Sequence, residues 1–295
     1  MLPELRLSDP IGIAGTGRLA QAIGRLLRER GEPVVCIAGR DPARTRRAAE
    51  FIGSDVIPVS YSELPARASH LLLAVSDGAL PEVAELLAGA APATGVVLHT
   101  CGAEDEKVLA PLQRHGFHCG TIHPLQTIAA PEQGLTALPG AGFAISGDPA
   151  ALHWARRIVE VLEGQALHIP SEARALYHAA AVMASNYVVA LMDTAQQLLS
   201  EAAGTDSQSA LRALAPLVRA TIARVFHSGP TAALTGPIER GDEATVQRHL
   251  GALEFTSEEI QSLYRAAGLQ TLDLACRKGL APGAAQRVEG ILRGN

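Results

Sequence analysis

The chain has 295 residues, 47% hydrophobic and 19% charged, a composition that belongs to a soluble globular protein and excludes a disordered one. Lys and Arg number 25 against 30 Asp and Glu, a net charge of −5, and aromatic residues make up 3%. Nucleic-acid binding needs a positive field and stacking faces, so that class is excluded, and the length suits two domains.

Met1–Pro10 mixes acidic and basic residues before any apolar run, which is no secretory signal pattern. Ile11–Ala14 reads as a short strand, followed by a glycine-rich turn and a helix through about Arg30. Val34–Ala38 reads as the second strand. Asp41-Pro42 then opens a helix, with aspartate as N-cap and proline at the first helical position. Further strands are expected at Val56–Val59, His70–Val75, Gly95–His99, Phe117–Ile122, Phe143–Ser146 and Ala166–Ile169, with a helix over Ala150–Glu163. Strand, helix, strand at this spacing predicts parallel pairing in a doubly wound sheet. After Pro170 the β signal stops. Ser171–Ala203 reads as one long alanine-rich helix with Ser171 as N-cap; its uncharged stretch is nearly bilayer length, but His178, Ser185, Asn186 and Tyr187 favour a buried helix. Gln208–His227, Asp242–Leu253 and Ser257–Lys278 are helical as well. The expected fold is therefore an α/β Rossmann-type doubly wound sheet over 1–170, followed by a smaller all-α domain over 171–295.

The sharpest motif is the G-x-G-x-x-A run at Gly15, Gly17 and Ala20. Gly15 permits the strand-to-helix turn, and Gly17 lets the backbone approach a pyrophosphate, which Thr16, Arg18 and Leu19 would flank at the helix start. An NAD site places an acid about 20 residues later. Here that position is Gly39-Arg40, with Arg44 one turn on, and a guanidinium suits a 2′-phosphate. NADP(H) is favoured over NAD(H).

In such a sheet the ligand lies beyond the carboxyl ends of the strands. Val75-Ser76 and Thr100 fall there as cofactor contacts, with Cys101 and Gln126 as substrate contacts. His123 is the acid/base candidate, on the ground that imidazole titrates near neutral pH. On the long helix Arg174 and His178 share a face, with Asn186 about 80° around from His178. Arg174 would clamp a carboxylate, and His178 or Asn186 would bind a hydroxyl or carbonyl. Tyr177, His178 and Asn186 read equally well as a polar network at a helix interface. Arg240, beside the predicted cap Asp242, either reaches a cleft or pairs with a carboxylate. His115, His118, Cys119 and His123 lack zinc-site spacing, so no metal is expected. Cys36, Cys101, Cys119 and Cys276 form no C-x-x-C pair, which fits free thiols in a reducing cytoplasm.

Several segments together resemble a known group: Gly15–Arg18, His99-Thr100-Cys101-Gly102, His123–Thr127, Tyr177–Ala181 with Ala184–Tyr187, and Leu234–Pro237 with Arg240-Gly241-Asp242. The group comprises Rossmann-like proteins with a C-terminal domain of unknown function, related to ketopantoate reductase, pyrroline-5-carboxylate reductase and deazaflavin-dependent NADP oxidoreductases. The resemblance implies an all-α domain like that of the 6-phosphogluconate dehydrogenase superfamily, a homodimer through that domain, and an NADP-dependent oxidoreductase of unassigned substrate. Its members carry lysine where Arg174 stands and commonly serine at Cys101; arginine serves badly as an acid/base, which leaves His123, His178 and Asn186 as the catalytic candidates. A hydride-transferring reductase of a small oxo acid, hydroxy acid or imine is the expectation, and a non-catalytic dinucleotide sensor or interaction protein the alternative.

Overall fold

A computed structural model describes residues 9–90 and 95–294; most of the leading segment read above, Met1–Ser8, lies outside them. The chain divides into two compact units, the first ending at Asn186 and the second starting at Tyr187.

The first unit is built on an eight-stranded sheet: β1 (Ile11–Ala14), β2 (Val34–Ala38), β3 (Ile57–Val59), β4 (His70–Leu73), β5 (Val96–His99), β6 (His118–Pro124), β7 (Gly142–Gly147) and β8 (Gln165–His168), in the order β3-β2-β1-β4-β5-β6-β7-β8. β1, β4 and β5 are buried along their whole length, which is why they read as unbroken apolar runs. Helices α1 (Arg18–Glu29), α2 (Pro42–Ile52), α3 (Leu80–Ala90), α4 (Ala110–Arg114), α5 (Pro131–Ala137) and α6 (Pro149–Val161) connect them. Two apolar clusters form, one containing Ile13, Ile23, Ile37 and Phe143 and one containing Leu71, Leu73, Val83 and Val97. Asp41 caps α2 as expected, accepting hydrogen bonds from the amides of Ala43 and Arg44 at 2.8 and 3.0 Å.

The pairing is parallel except between β6 and β7, which are antiparallel. The expectation of uniform parallel pairing fails there because the link from β6 to β7 makes no crossover. It carries the short α5, which returns along α1; a Cβ at Gly134 would lie 2.4 Å from Ala22 Cβ, so the helices meet at small residues.

A 3₁₀ turn at Ser171–Ala173 leads into α7 (Arg174–Ala184). Pro170, not Ser171, is the capping residue of that turn, because the Ser171 hydroxyl donates to Glu106 Oε1 at 2.7 Å. The long helix is broken at Ser185, whose φ of −123° and ψ of −74° leave helical space; α8 (Asn186–Ala203) follows. The break resets the helical phase, so the 80° offset reckoned between His178 and Asn186 does not apply. None of the most apolar window of Ser171–Ala203 is buried within the chain, which corrects the expectation of a buried helix. By length and composition alone this stretch is apolar enough to cross a membrane.

The second unit continues with α9 (Ser207–Ser228), α10 (Pro230–Ala233), α11 (Glu243–Leu253), α12 (Glu258–Lys278) and α13 (Pro282–Arg293). Ile238, Val246, Leu272, Ala275, Val288 and Leu292 form its core. Asp242 caps α11, accepting from the Thr245 amide at 3.1 Å and its hydroxyl at 2.7 Å. Arg240 is exposed within this unit; after the Thr245 hydrogen bonds, Arg248 and Arg240 help hold the Asp242 carboxyl below its usual range. All four cysteines are free.

Candidate functional site

A cleft of about 490 Å³ lies at the carboxyl ends of β1, β2 and β4, lined by Gly15, Thr16, Gly17, Arg40, Asp41, Arg44, Tyr61, Ala74, Val75, Ser76 and Ala79. Gly15 has φ +117°, and a Cβ there would lie 2.2 Å from the Ala74 carbonyl oxygen. Only glycine lets the β1 turn pass so close to the end of β4. A Cβ on Gly17 would meet nothing within 4 Å. Gly17 is also the N-cap of α1, with no side-chain hydrogen bond to the helix start and no acid in its first turn. The N-terminal amides of α1 therefore face an open space suited to an anion.

Seven of the ten cofactor contacts read from the sequence line this cleft: Gly15, Thr16, Gly17, Arg40, Arg44, Val75 and Ser76. Arg18, Leu19 and Thr100 are not among its lining residues. Leu19 packs against the apolar core, and Thr100 is buried, its amide and hydroxyl both donating to the Leu73 carbonyl. Tyr61 was missed; its only sequence signal is its place two residues beyond β3, where a doubly wound sheet brings chain to its ligand.

Next to Ser76 stands Asp77, whose carboxylate acts on the Cys101 thiol. Burial first and then Asp77 push that thiol up to about 11, so Cys101 is a packed thiol and no nucleophile at neutral pH. Beside it, Gly102 brings two imidazoles together: a Cβ there would lie 2.6 Å from His178 Nδ1 and 2.8 Å from His123 Nε2. The two rings stand 6.0 Å apart at 73°, and His178 Nδ1 is buried without a hydrogen-bond partner. His123 Nδ1 lies 2.6 Å from the Tyr177 hydroxyl. His99 Nδ1 accepts from the Cys101 amide, so its Nε2 carries the proton and donates to the Asp105 carbonyl at 3.0 Å.

Burial, with Arg174 and His178 adding, brings His123 down to about 4, and burial pushes the Tyr177 phenol up to about 12. His123 is therefore a neutral imidazole at pH 7, which corrects the near-neutral titration expected of it. Tyr177 is a protonated donor beside it.

Arg174 is 2% exposed and each of its three nitrogens already donates one hydrogen bond: Nε to the Gly102 carbonyl (3.2 Å), Nη2 to the Cys101 carbonyl (2.6 Å) and Nη1 to Thr121 Oγ1 (2.7 Å). From Thr121 the bonds run to Ser146 Oγ (3.0 Å) and on to Glu106 Oε2 (3.1 Å). Arginine only donates and the carboxylate only accepts, so every hydroxyl in this chain points toward Glu106. The carboxylate clamp expected of Arg174 is not available at this guanidinium, which holds the Cys101-Gly102 turn instead. Thr121, Ser146 and Glu106 had no sequence signal of this role, and Ser171 read only as a helix cap.

Gln126 is exposed, its amide bonded to the Ala137 carbonyl and the Thr127 amide in its own loop. Asn186 is exposed at the start of α8. Among the described residues no three of His, Cys, Asp or Glu converge on a metal-sized point. His118 instead lies 3.2 Å from the Asp148 carboxylate.

The buried imidazoles make the fold acid-sensitive. His99 and His123 protonate near 6.5 in the unfolded chain but near 4 in the fold. Acid therefore favours unfolding: their contribution is complete above about pH 6.5 and is lost as pH falls toward about 4. His99 alone accounts for about 3 kcal/mol. Denaturant midpoints are expected to fall steadily from pH 7 to 4.5, and a flat profile across that window would contradict the burial of these rings.

Two family models match the chain: a Rossmann-like domain over residues 2–124, and a domain of unknown function, DUF2520, over residues 141–271. The chain thus carries a Rossmann-like domain followed by a DUF2520 domain. No curated protein matches it by sequence. Among solved structures, protein TM1727 of Thermotoga maritima is similar over 91% of this chain and 99% of its own, at 24% identity and a TM-score of 0.73. BF3122 of Bacteroides fragilis, provisionally named an NADP oxidoreductase, is similar over 90% and 98%, at 22% and 0.72. The reductive aminase of Aspergillus terreus, solved with NADPH and ethyl-5-oxohexanoate, is similar over 97% and 93%, at 16% and 0.59. At these identities the likeness is one of fold.

Proposed function

We propose that the protein is a cytoplasmic NADP(H)-dependent oxidoreductase of a small oxo acid, hydroxy acid or imine. The observation that carries this reading is the glycine-lined cleft, which opens on uncapped helix amides at one side and on Arg40 and Arg44 at another. Gly17 and the first turn of α1 would hold the pyrophosphate, and the two guanidinium groups the 2′-phosphate. A bound nicotinamide supplies or accepts the hydride. Tyr177 and His123 hold the proton that balances it: they share one hydrogen bond and keep one further donor, the phenol O–H or the imidazole Nε2–H. His178, its Nδ1 unpartnered beside them, is a further contact for the reacting oxygen or nitrogen. The relatives solved with NADPH support this reading by their fold. Calorimetric titration tests it: NADPH is expected to bind much more tightly than NADH, and Arg40→Ala to weaken NADPH by about 100-fold, ~2.7 kcal/mol, while sparing NADH. Binding without turnover across a panel of oxo acids, hydroxy acids and imines would favour the sensor reading.

The same proposal includes a homodimer formed through the helical unit. No residue of α8 is buried in the chain and only Ala210 of α9, while Val189, Leu217 and Phe226 are 69%, 63% and 86% exposed. Helices of 18 and 22 residues with such faces gain their stability from packing, and a second copy supplies a matching surface. Sedimentation is expected to give a dimer, and Leu217→Glu with Phe226→Glu a monomer. A wild-type monomer that partitions to lipid vesicles would sink this assembly.

A further inference from the structure

Arg174 is a buried cation with no carboxylate in contact among the described residues. Its three hydrogen-bonded nitrogens reach two carbonyls and one hydroxyl. Glu106, the carboxylate to which it is linked, lies two hydroxyls away and accepts a second bond from Ser171. Asp105 pairs with Lys107 at 3.1 Å, and Asp77 is exposed. Toward the rings of His123 and His178, then, the protein presents an interior positive charge and a solvated negative one. A guanidinium out of water projects its field further than an exposed carboxylate, which solvent screens. The same field acts on His123, where burial lowers the imidazole first, Arg174 and His178 lower it further and Asp77 opposes them.

We infer that the site proposed at His123 takes a substrate whose reacting end is an anion or becomes one, a small 2-oxo acid or its hydroxy acid, and disfavours an iminium cation. This rests on the proposed oxidoreductase reading and narrows it. Reduction of a carbonyl carries its π pair onto oxygen, which then takes a proton, so negative charge builds where the field favours it. An iminium brings a positive charge to the same place, and that charge is repelled. Arg174 acts here as a positioning residue, because it is buried behind the Cys101-Gly102 turn it holds and reaches the substrate through that turn and through its charge.

The test is calorimetric, with oxamate as the anionic probe and pyrrolidine, protonated at pH 7.5, as the cationic one. Each is titrated into the protein alone and into the protein with NADP⁺. Oxamate is expected to bind about tenfold or more tightly than pyrrolidine. Arg174→Met is expected to remove that preference and Arg174→Lys to retain most of it, with NADPH affinity unchanged in both. Pyrrolidine binding as well as oxamate, oxamate unaffected by Arg174→Met, or neither probe binding would each overturn the inference. Should Arg174→Met fail to fold, the wild-type comparison of the two probes decides alone. Failure of NADPH to bind would remove the oxidoreductase reading, while oxamate against the protein alone would still decide the charge preference.

Discussion

Gly17→Ala is expected to fold almost normally and to lose dinucleotide affinity by about 100-fold, whereas Gly15→Ala is expected to lose both stability and binding. The two glycines share one turn but meet different surroundings. A Cβ on Gly17 enters empty space in the protein, so alanine costs only the weaker N-cap, about 1 kcal/mol or less. That empty space is where a pyrophosphate would press against the backbone, and there the methyl group would collide. At Gly15 the added Cβ meets the Ala74 carbonyl at 2.2 Å and the residue sits at φ +117°, so β1 and β4 must part or the turn must change. The cost is about 3 kcal/mol or more. Thermal unfolding and NADPH titration of both variants separate the roles. Unaltered NADPH affinity in Gly17→Ala would mean that the phosphates do not approach this turn.

The parts of the fold written in local chemistry were readable from the sequence. The β1–α1 glycine turn, the Asp41-Pro42 helix start and the Asp242 cap each depend on residues within a few positions of one another, and each stands where it was expected. What escaped depended on distant partners. The direction of β7 is set by how α5 returns along α1, and no periodicity in Phe143–Ser146 encodes it. The exposure of the most apolar part of Ser171–Ala203 followed the same rule, since an apolar helix reads as buried whether its cover is its own chain or another.

The site divides in the same way. Gly15, Gly17, Arg40 and Ser76 belong to a strand-end grammar that a single sequence displays. The Arg174–Thr121–Ser146–Glu106 chain joins residues 53, 25 and 40 positions apart, and Thr121 and Ser146 are small polar residues with no motif of their own. His123 was found by type and place, but its protonation state was not. That state follows from burial and from a guanidinium 51 positions away, and neither is visible in the residues that flank it.

Gly102 carries the largest expected effect on turnover with the least on stability. Its φ lies outside the left-handed region, so alanine is acceptable to the backbone, and the atoms a Cβ would meet are ring ends and not main chain: His178 Nδ1 at 2.6 Å, His123 Nε2 at 2.8 Å and His123 Cε1 at 3.0 Å. The rings can swing away, which keeps the cost in stability to about 1 kcal/mol. A displaced His123 gives up its 2.6 Å bond to Tyr177, and with it the pair that holds the proton. A misplacement of this size at the reacting atoms costs about 100-fold in rate. Gly102→Ala is therefore expected to bind NADPH normally and to lose about 100-fold in kcat on whichever substrate the wild type reduces. Tyr177→Phe removes the same bond from its other end, so the double variant is expected to be little slower than either single one. Losses that multiply in the double variant would show that His123 and Tyr177 act separately, and the proton would then need another donor.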